Sequence, residues 1–166
     1  MRQITKFIIH CTATREGRDY TVADITRWHK ARGFKTIGYH YVIYRDGSIH
    51  TGREEHLTGA HTLGQNLCSI GVCYVGGLDS DGHAKDTRTP EQKTALRQLR
   101  LNLHQRFPNA TIHGHREFAR KVCPCFDAAT EYKNLFSIPA PAKIITINDC
   151  TAPQKSVTLH PNQITQ

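Results

Sequence analysis

Residues 6–11 (KFIIHC) form a short apolar run that ends in polar residues, the pattern of a buried strand. Thr21-Val-Ala-Asp24 then sets an acid three residues after a threonine, as a capping box does. Val22, Ile25 and Trp28 recur at helical spacing up to Gly33, which predicts a helix over 22–32. Residues 40–45 and 48–52 flank Asp46-Gly47, a strong local hairpin signal. Residues 68–75 are again apolar and close on Gly76-Gly77, so they read as a second buried strand. Residues 78–89 are a polar loop. Thr89-Pro90-Glu91-Gln92 opens a helix whose apolar stripe is Leu96, Leu99, Leu103 and Phe107. Residues 110–113 suit a short strand and 126–135 a short final helix. Strand, helix, hairpin, strand, helix, strand, helix predicts an α/β fold, a central mixed sheet flanked by helices. From Ser137 the chain turns polar and Pro-punctuated, with one β-like run over 144–147. The pattern therefore divides into a unit at 1–136 and an extension at 137–166.

Composition agrees with that outline. The 166 residues are 38% apolar and 22% charged, enough to bury a core without a disulfide scaffold. No apolar stretch approaches the ~20 residues of a membrane helix. The first residues, MRQITK, lack the apolar run of a secretory signal. Synthesis in the cytoplasm is expected, with access to a cell wall through lysis, a holin or a secretion system. Twenty-two Lys and Arg against 14 Asp and Glu give a net charge of +8, which favours anionic partners. An acidic wall polymer and a nucleic acid fit that charge equally well. Six cysteines without a secretory signal read as reduced thiols or metal ligands.

Eleven histidines invite a search for a metal site. His10 ends the first strand, His115 follows the strand at 110–113, and Cys123 lies eight residues further in a loop closed by Pro124. Two imidazoles and a thiolate are borderline-soft donors that suit zinc. Three protein ligands leave the fourth tetrahedral position to water, the catalytic arrangement. Cys125 offers a second thiol beside Cys123, and donor chemistry alone does not choose between them. His113 pairs with His115 as His-x-His, but Gly114 is expected to bend the chain between them. His29, His40, His50, His56, His83, His104 and His160 have no donor spacing that singles them out. Cys11, Cys68 and Cys73 read as small core residues, and Cys150 as a free thiol in the extension. Asp79-Ser-Asp81-Gly82 is a fragment of a calcium loop with no ladder of acids to complete it, so it reads as a solvated turn.

Five words occur in order along the chain: FIIHCTAT at 7–14, GYHYVIYRDG at 38–47, GAH at 59–61, SIGVCYVGG at 69–77, and GHRE with KVCPCFD over 114–127. Together they resemble the type 2 N-acetylmuramoyl-L-alanine amidases, the family of phage lysozymes that are zinc amidases and of peptidoglycan recognition proteins. The resemblance spans about residues 5–135. It implies one catalytic Zn²⁺ held by His10, His115 and Cys123, and cleavage of the amide between N-acetylmuramic acid and the first L-alanine of the stem peptide. It implies catalytic roles for Tyr39 and Lys121, and places His61 in the substrate groove. Lys121, two residues from a ligand, suits stabilisation of an oxyanion. The Tyr39 hydroxyl suits hydrogen bonding and proton transfer, and the residues do not say which of the two moves the proton. Glu117 reads as an exposed acid in preference to a hydrogen-bond partner of His115. The extension matches no family motif.

Two other function classes use the same residues. Recognition proteins of this fold bind muropeptides without cutting them and usually lack the cysteine, which is present here. A cysteine peptidase would pair Cys123 or Cys125 with a histidine base. Nucleic-acid binding rests on charge alone and is the weakest reading.

Overall fold

The computed structural model describes residues 2–133. β1 (Lys6–Cys11) is the hub of a five-stranded sheet. The other members are β3 (Tyr41–Ile43), β4 (Ile49–Thr51), β5 (Ser69–Tyr74) and β7 (Thr111–Gly114), in the order β4-β3-β5-β1-β7. β1 pairs parallel to β5 and β7, and β3 pairs parallel to β5; only the β3–β4 hairpin is antiparallel. The sheet is therefore mixed, as the pattern predicts. Its central strands have helices over both faces, which is why β1 and β5 are apolar without alternation.

α2 (Pro90–Arg106) covers one face. Leu96, Leu99 and Leu103 pack with Phe7, Ile9, Tyr41, Ile70 and Val72 in the main core. Phe107, expected in the same stripe, is half-buried and meets Phe7 edge-on at 6.2 Å. Gln92 is fully buried in this layer and donates to the carbonyls of Ile43 and Val75, so its burial costs no hydrogen bond. α1 (Val22–Ala31) lies over the other face, where Ile25 packs with Ile37, Val42 and Val75. Val22 and Trp28 only flank that cluster. Both helices start on the predicted capping boxes, Thr21 with Asp24 and Thr89 with Gln92. Gly33 takes a φ of +87°, a left-handed turn that suits glycine.

The differences from the pattern are local. The hairpin strands are three residues each, shorter than expected, around an Asp46-Gly47 turn in which Gly47 has a φ of +85°. A separate parallel pair, β2 (Thr14–Arg15) with β6 (Gly77–Leu78), was not predicted, because two-residue strands carry no periodicity. The final helix is α3 (Ala128–Tyr132), capped by Asp127, so it starts later than the predicted 126. The predicted end of that helix at 135, the boundary at 136/137, the run at 144–147, Cys150 and His160 lie outside the described residues. Cys11 and Cys73 are buried as expected. Cys68 is only half-buried, because it sits in a 3₁₀ turn before β5. No helix among the described residues is long and apolar enough to cross a membrane.

α3 is fastened by Arg88, whose side chain is 1% exposed. Its guanidinium pairs with Asp86 and Glu131 at 2.8 Å each and lies 3.2 Å from the centre of the Phe126 ring. Burial alone raises the Asp86 pKa, but the hydrogen bonds and charge of Arg88 outweigh it and hold that pKa below the ordinary carboxylate value. A carboxylate depressed in the folded state adds stability above its unfolded pKa of about 4, and that stability is lost as pH falls through the folded value. Arg88→Ala is therefore expected to cost about 2–4 kcal/mol in denaturant unfolding at pH 7. The gap from the parent should narrow at pH 3; a gap equal at both pH values would refute the pairing.

Candidate metal centre

Parallel pairing places the metal candidates. In the β1–β7 register Ile9 lies opposite Gly114, so the next residues, His10 and His115, emerge side by side at the carboxyl edge of the sheet. Their ring centres are 4.5 Å apart. The loop carrying Cys123 returns to the same edge. Arg116 N–H donates to the Cys123 carbonyl, Tyr74 Oη–H donates to the Pro124 carbonyl, and Cys11 N–H donates to Cys123 Sγ at 3.3 Å. A Cβ on Gly114 would meet Pro124 at 2.8 Å, so glycine is what lets this loop close. One donor atom from each of His10, His115 and Cys123 lies within 4.8 Å of the other two. No other histidine, cysteine or acid among the described residues joins that group.

The electrostatics suit metal ligation. His10 is 1% exposed, and burial, helped by His61, His115 and Lys121, pushes its pKa well below the ordinary histidine value. Burial and then Lys121 also lower that of His115. Both imidazoles are neutral at pH 7, as ligands must be. The neighbouring Cys11 side chain lowers the Cys123 pKa; burial opposes this, and the Cys11 N–H, which donates to Cys123 Sγ, adds to the lowering. Cys11 itself is pushed up to about 12, chiefly by the same contact. Two neutral imidazoles and one thiol biased toward thiolate fit a borderline-soft divalent ion.

A second ring of polar groups orients the first. His10 Nδ1 faces Cys123 Sγ at 3.9 Å, and His10 Nε2 lies 3.1 Å from His61 Nδ1 and 3.3 Å from Thr62 Oγ1. If Nδ1 is the ligating atom, Nε2 carries the hydrogen, and His61 Nδ1 and Thr62 Oγ1 are the acceptors within reach. Asn66 Oδ1 holds this loop by accepting from the N–H groups of His61 and Thr62, at 2.8 and 2.9 Å. The His61 ring occupies the space that a side chain on Gly59 or Gly71 would fill.

The cleft above the three donors is lined by Tyr39, His61 and Lys121, and also by Arg32 and Phe34. The Tyr39 ring packs 5.1 Å from His10. Burial, then the charges of Cys73, Cys123 and Cys11, raise the Tyr39 pKa, so the hydroxyl stays protonated at neutral pH. Lys121 is an exposed residue whose charge acts on both His10 and His115.

The remaining candidates fall elsewhere. Cys125 has a φ of +70° and turns its Sγ to the Gly77 carbonyl at 3.2 Å, away from the donor group. His113 lies on the far side of Gly114, bonded to Thr111 and to Glu117. Glu117 is exposed, and its contacts are His113 and the Gly114 N–H rather than His115. His29 does line the cleft, but its Nδ1 accepts the Gly38 N–H, and His40 is buried with its Nδ1 accepting the Gly71 N–H. Asp79, Asp81 and His83 sit close together in a half-buried to exposed turn, where Asp79 accepts the N–H groups of Asp81 and His83, as in a solvated turn. Sequence reasoning missed Cys11 as a neighbour of Cys123, and Arg32 and Phe34 as cleft walls. The position of Cys11 directly after His10 was the one available signal.

The family model described as N-acetylmuramoyl-L-alanine amidase (Amidase_2) matches residues 1–126. The endolysin of Enterobacteria phage K11 is 40% identical over 126 residues, covering 76% of this chain and 83% of that protein. The endolysin of Escherichia phage T7 is 42% identical over 119 residues, covering 72% and 79%. Among solved structures, the N-acetylmuramoyl-L-alanine amidase LysC from Clostridium intestinale URNW superposes with a TM-score of 0.69 at 26% identity, covering 82% of this chain and 86% of that one.

The contact between His61 and His10 has a direct test. In Gly71→Ala the new Cβ would lie 2.5 Å from the His61 ring, so the ring must move off His10. The expected outcome is a shift of the His10 imidazole nitrogen resonance as the His61 contact is lost, at a stability cost of about 1–3 kcal/mol. An unchanged resonance would show that the ring is not held there.

Proposed function

The chain belongs to the N-acetylmuramoyl-L-alanine amidase family, and from that premise we propose that it is a zinc-dependent peptidoglycan hydrolase. It cuts the amide between N-acetylmuramic acid and the L-alanine of the stem peptide. The observation that carries the zinc reading is the convergence of a third donor, Cys123, on His10 and His115. His10, His115 and Cys123 would hold the ion, which when bound supplies a Lewis acid and brings the ionisation of water toward neutral pH.

The chain's own groups do the rest. His61 and Thr62 fix the His10 ring, and Cys11 N–H favours the thiolate of Cys123. Lys121, on the cleft wall, opposes the negative charge that builds on the amide oxygen as the carbon becomes tetrahedral. Tyr39 keeps its proton and donates a hydrogen bond to the reacting centre. Both phage relatives are named endolysins, and lysis of the host wall is the role proposed for this chain.

One observation favours a second reading. Cys123 Sγ lies 3.9 Å from a His10 nitrogen, a pairing that would also suit a thiol hydrolase. Digestion of purified sacculi with and without a strong chelator separates the two. The amidase should release stem peptides with a free N-terminal L-alanine, stop in chelator and recover with zinc. Activity that persists in chelator would establish the thiol hydrolase instead.

Cys123→Ser should lose both zinc and hydrolysis. Lys121→Ala and Tyr39→Phe should keep one zinc per chain while kcat falls by about 10²–10³. Loss of zinc from either of these two variants would contradict the assigned roles.

A further inference from the structure

Arg32, at the C-terminal end of α1, lines the same cleft as the donor group. It is the C-cap of α1: its backbone N–H closes the helix on His29 and Lys30, which leaves the side chain free of that task. The side chain is exposed and lines the cleft, and its guanidinium carbon is 5.5 Å from the centre of the Phe34 ring. Among the described residues Arg32 makes no ion pair with an acid, and neither does Lys121. The cleft lining contains both cations and no Asp or Glu.

A row of rings connects this end to the donor group. Phe34 stacks on His29 at 5.1 Å, His29 meets Tyr39 at 5.2 Å, and Tyr39 meets His10 at 5.1 Å. The row forms one continuous aromatic wall, with Arg32 over its Phe34 end and the charge of Lys121 acting on His10 and His115 at the donor end. The second residue of a stem peptide lies about 7 Å beyond the scissile amide, and the cleft that Arg32 lines is the one that His115 and Cys123 line. The first free acid past that amide is the α-carboxylate of the second residue. A guanidinium backed by an aromatic ring presents a planar fork that matches a carboxylate better than a sugar hydroxyl.

Resting on the amidase reading above, we infer that Arg32, backed by Phe34, is a specificity residue that binds the free α-carboxylate of the second stem-peptide residue. The enzyme therefore discriminates against stems in which that carboxylate is amidated. Arg32 touches the substrate away from the reacting bond, so its contribution falls on KM and leaves kcat largely alone.

The test uses the zinc-loaded full chain and two soluble muropeptides that differ only in whether that carboxylate is free or amidated. The parent protein should show kcat/KM about tenfold higher for the free acid, mostly through KM. Arg32→Ala should cut both muropeptides at the rate seen for the amidated one. Arg32→Lys should restore part of the preference, Arg32→Glu should reverse it, and added salt should shrink it in the parent. Because the Arg32 side chain is exposed and caps nothing, these variants should keep the parent circular dichroism spectrum. Equal cleavage of both muropeptides by the parent, or a preference that survives in Arg32→Ala, would overturn the inference and leave the amidase reading intact. Failure of the parent to cut either muropeptide would overturn both.

Discussion

The parallel pairing of β1 with β7 is the constraint on which the rest of the molecule depends. Because the two strands run the same way, their carboxyl ends reach the same edge of the sheet, and the register sets His10 beside His115. Phe7, Ile9 and Cys11 face the α2 layer, while His10 faces the cleft. A slip of one residue would turn His10 into the apolar layer and an isoleucine or cysteine into the cleft. Burial of the apolar face therefore fixes the position of the polar side chain. The energy that holds the core also holds the site.

The Cys123 loop is attached to that frame by contacts that are themselves buried. Tyr74 and Gly114 belong to β5 and β7, and Cys11 is the last residue of β1. Each strand that builds the sheet edge thus supplies a contact that closes the loop over it. Around His10, Thr62, His61 and Asn66 form a chain of hydrogen bonds for which Gly59 and Gly71 make room. A polar cluster at this depth is tolerated because its members satisfy one another. Acids are kept out of the cleft: Glu55 is bound to Tyr41 and Arg106, and Asp86 and Glu131 to Arg88. The cations left lining it are Lys121 and Arg32.

The elements were legible where their cause is local. Thr21 with Asp24 and Thr89 with Gln92 announced both long helices, Asp46-Gly47 the hairpin, and the apolar runs the central strands. The parallel order of those strands has no local signature, and the meeting of His10 with His115 depends on β1–β7 pairs that are 105 positions apart. Donor chemistry singled out the residue types that the fold brings together, but it left Cys123 and Cys125 equivalent. Backbone geometry separates them, since the left-handed conformation at Cys125 turns its sulfur toward Gly77. The pairing of Glu117 with His113, the short β2–β6 ladder and the neighbourhood of Cys11 were invisible for the same reason: each is made by the fold. The words shared with the amidase family carried Tyr39, Lys121 and His61, which pattern alone would have left as an ordinary aromatic, a surface charge and a loop histidine.

The most direct test of the central claim is X-ray absorption at the zinc edge of the metal-loaded protein. The account predicts two nitrogen neighbours at about 2.0–2.1 Å, one sulfur at about 2.3 Å and one further light atom, with the sulfur contribution absent from a Cys123→Ser sample if any metal remains. A shell with two sulfurs, or one whose sulfur survives that substitution, would contradict it.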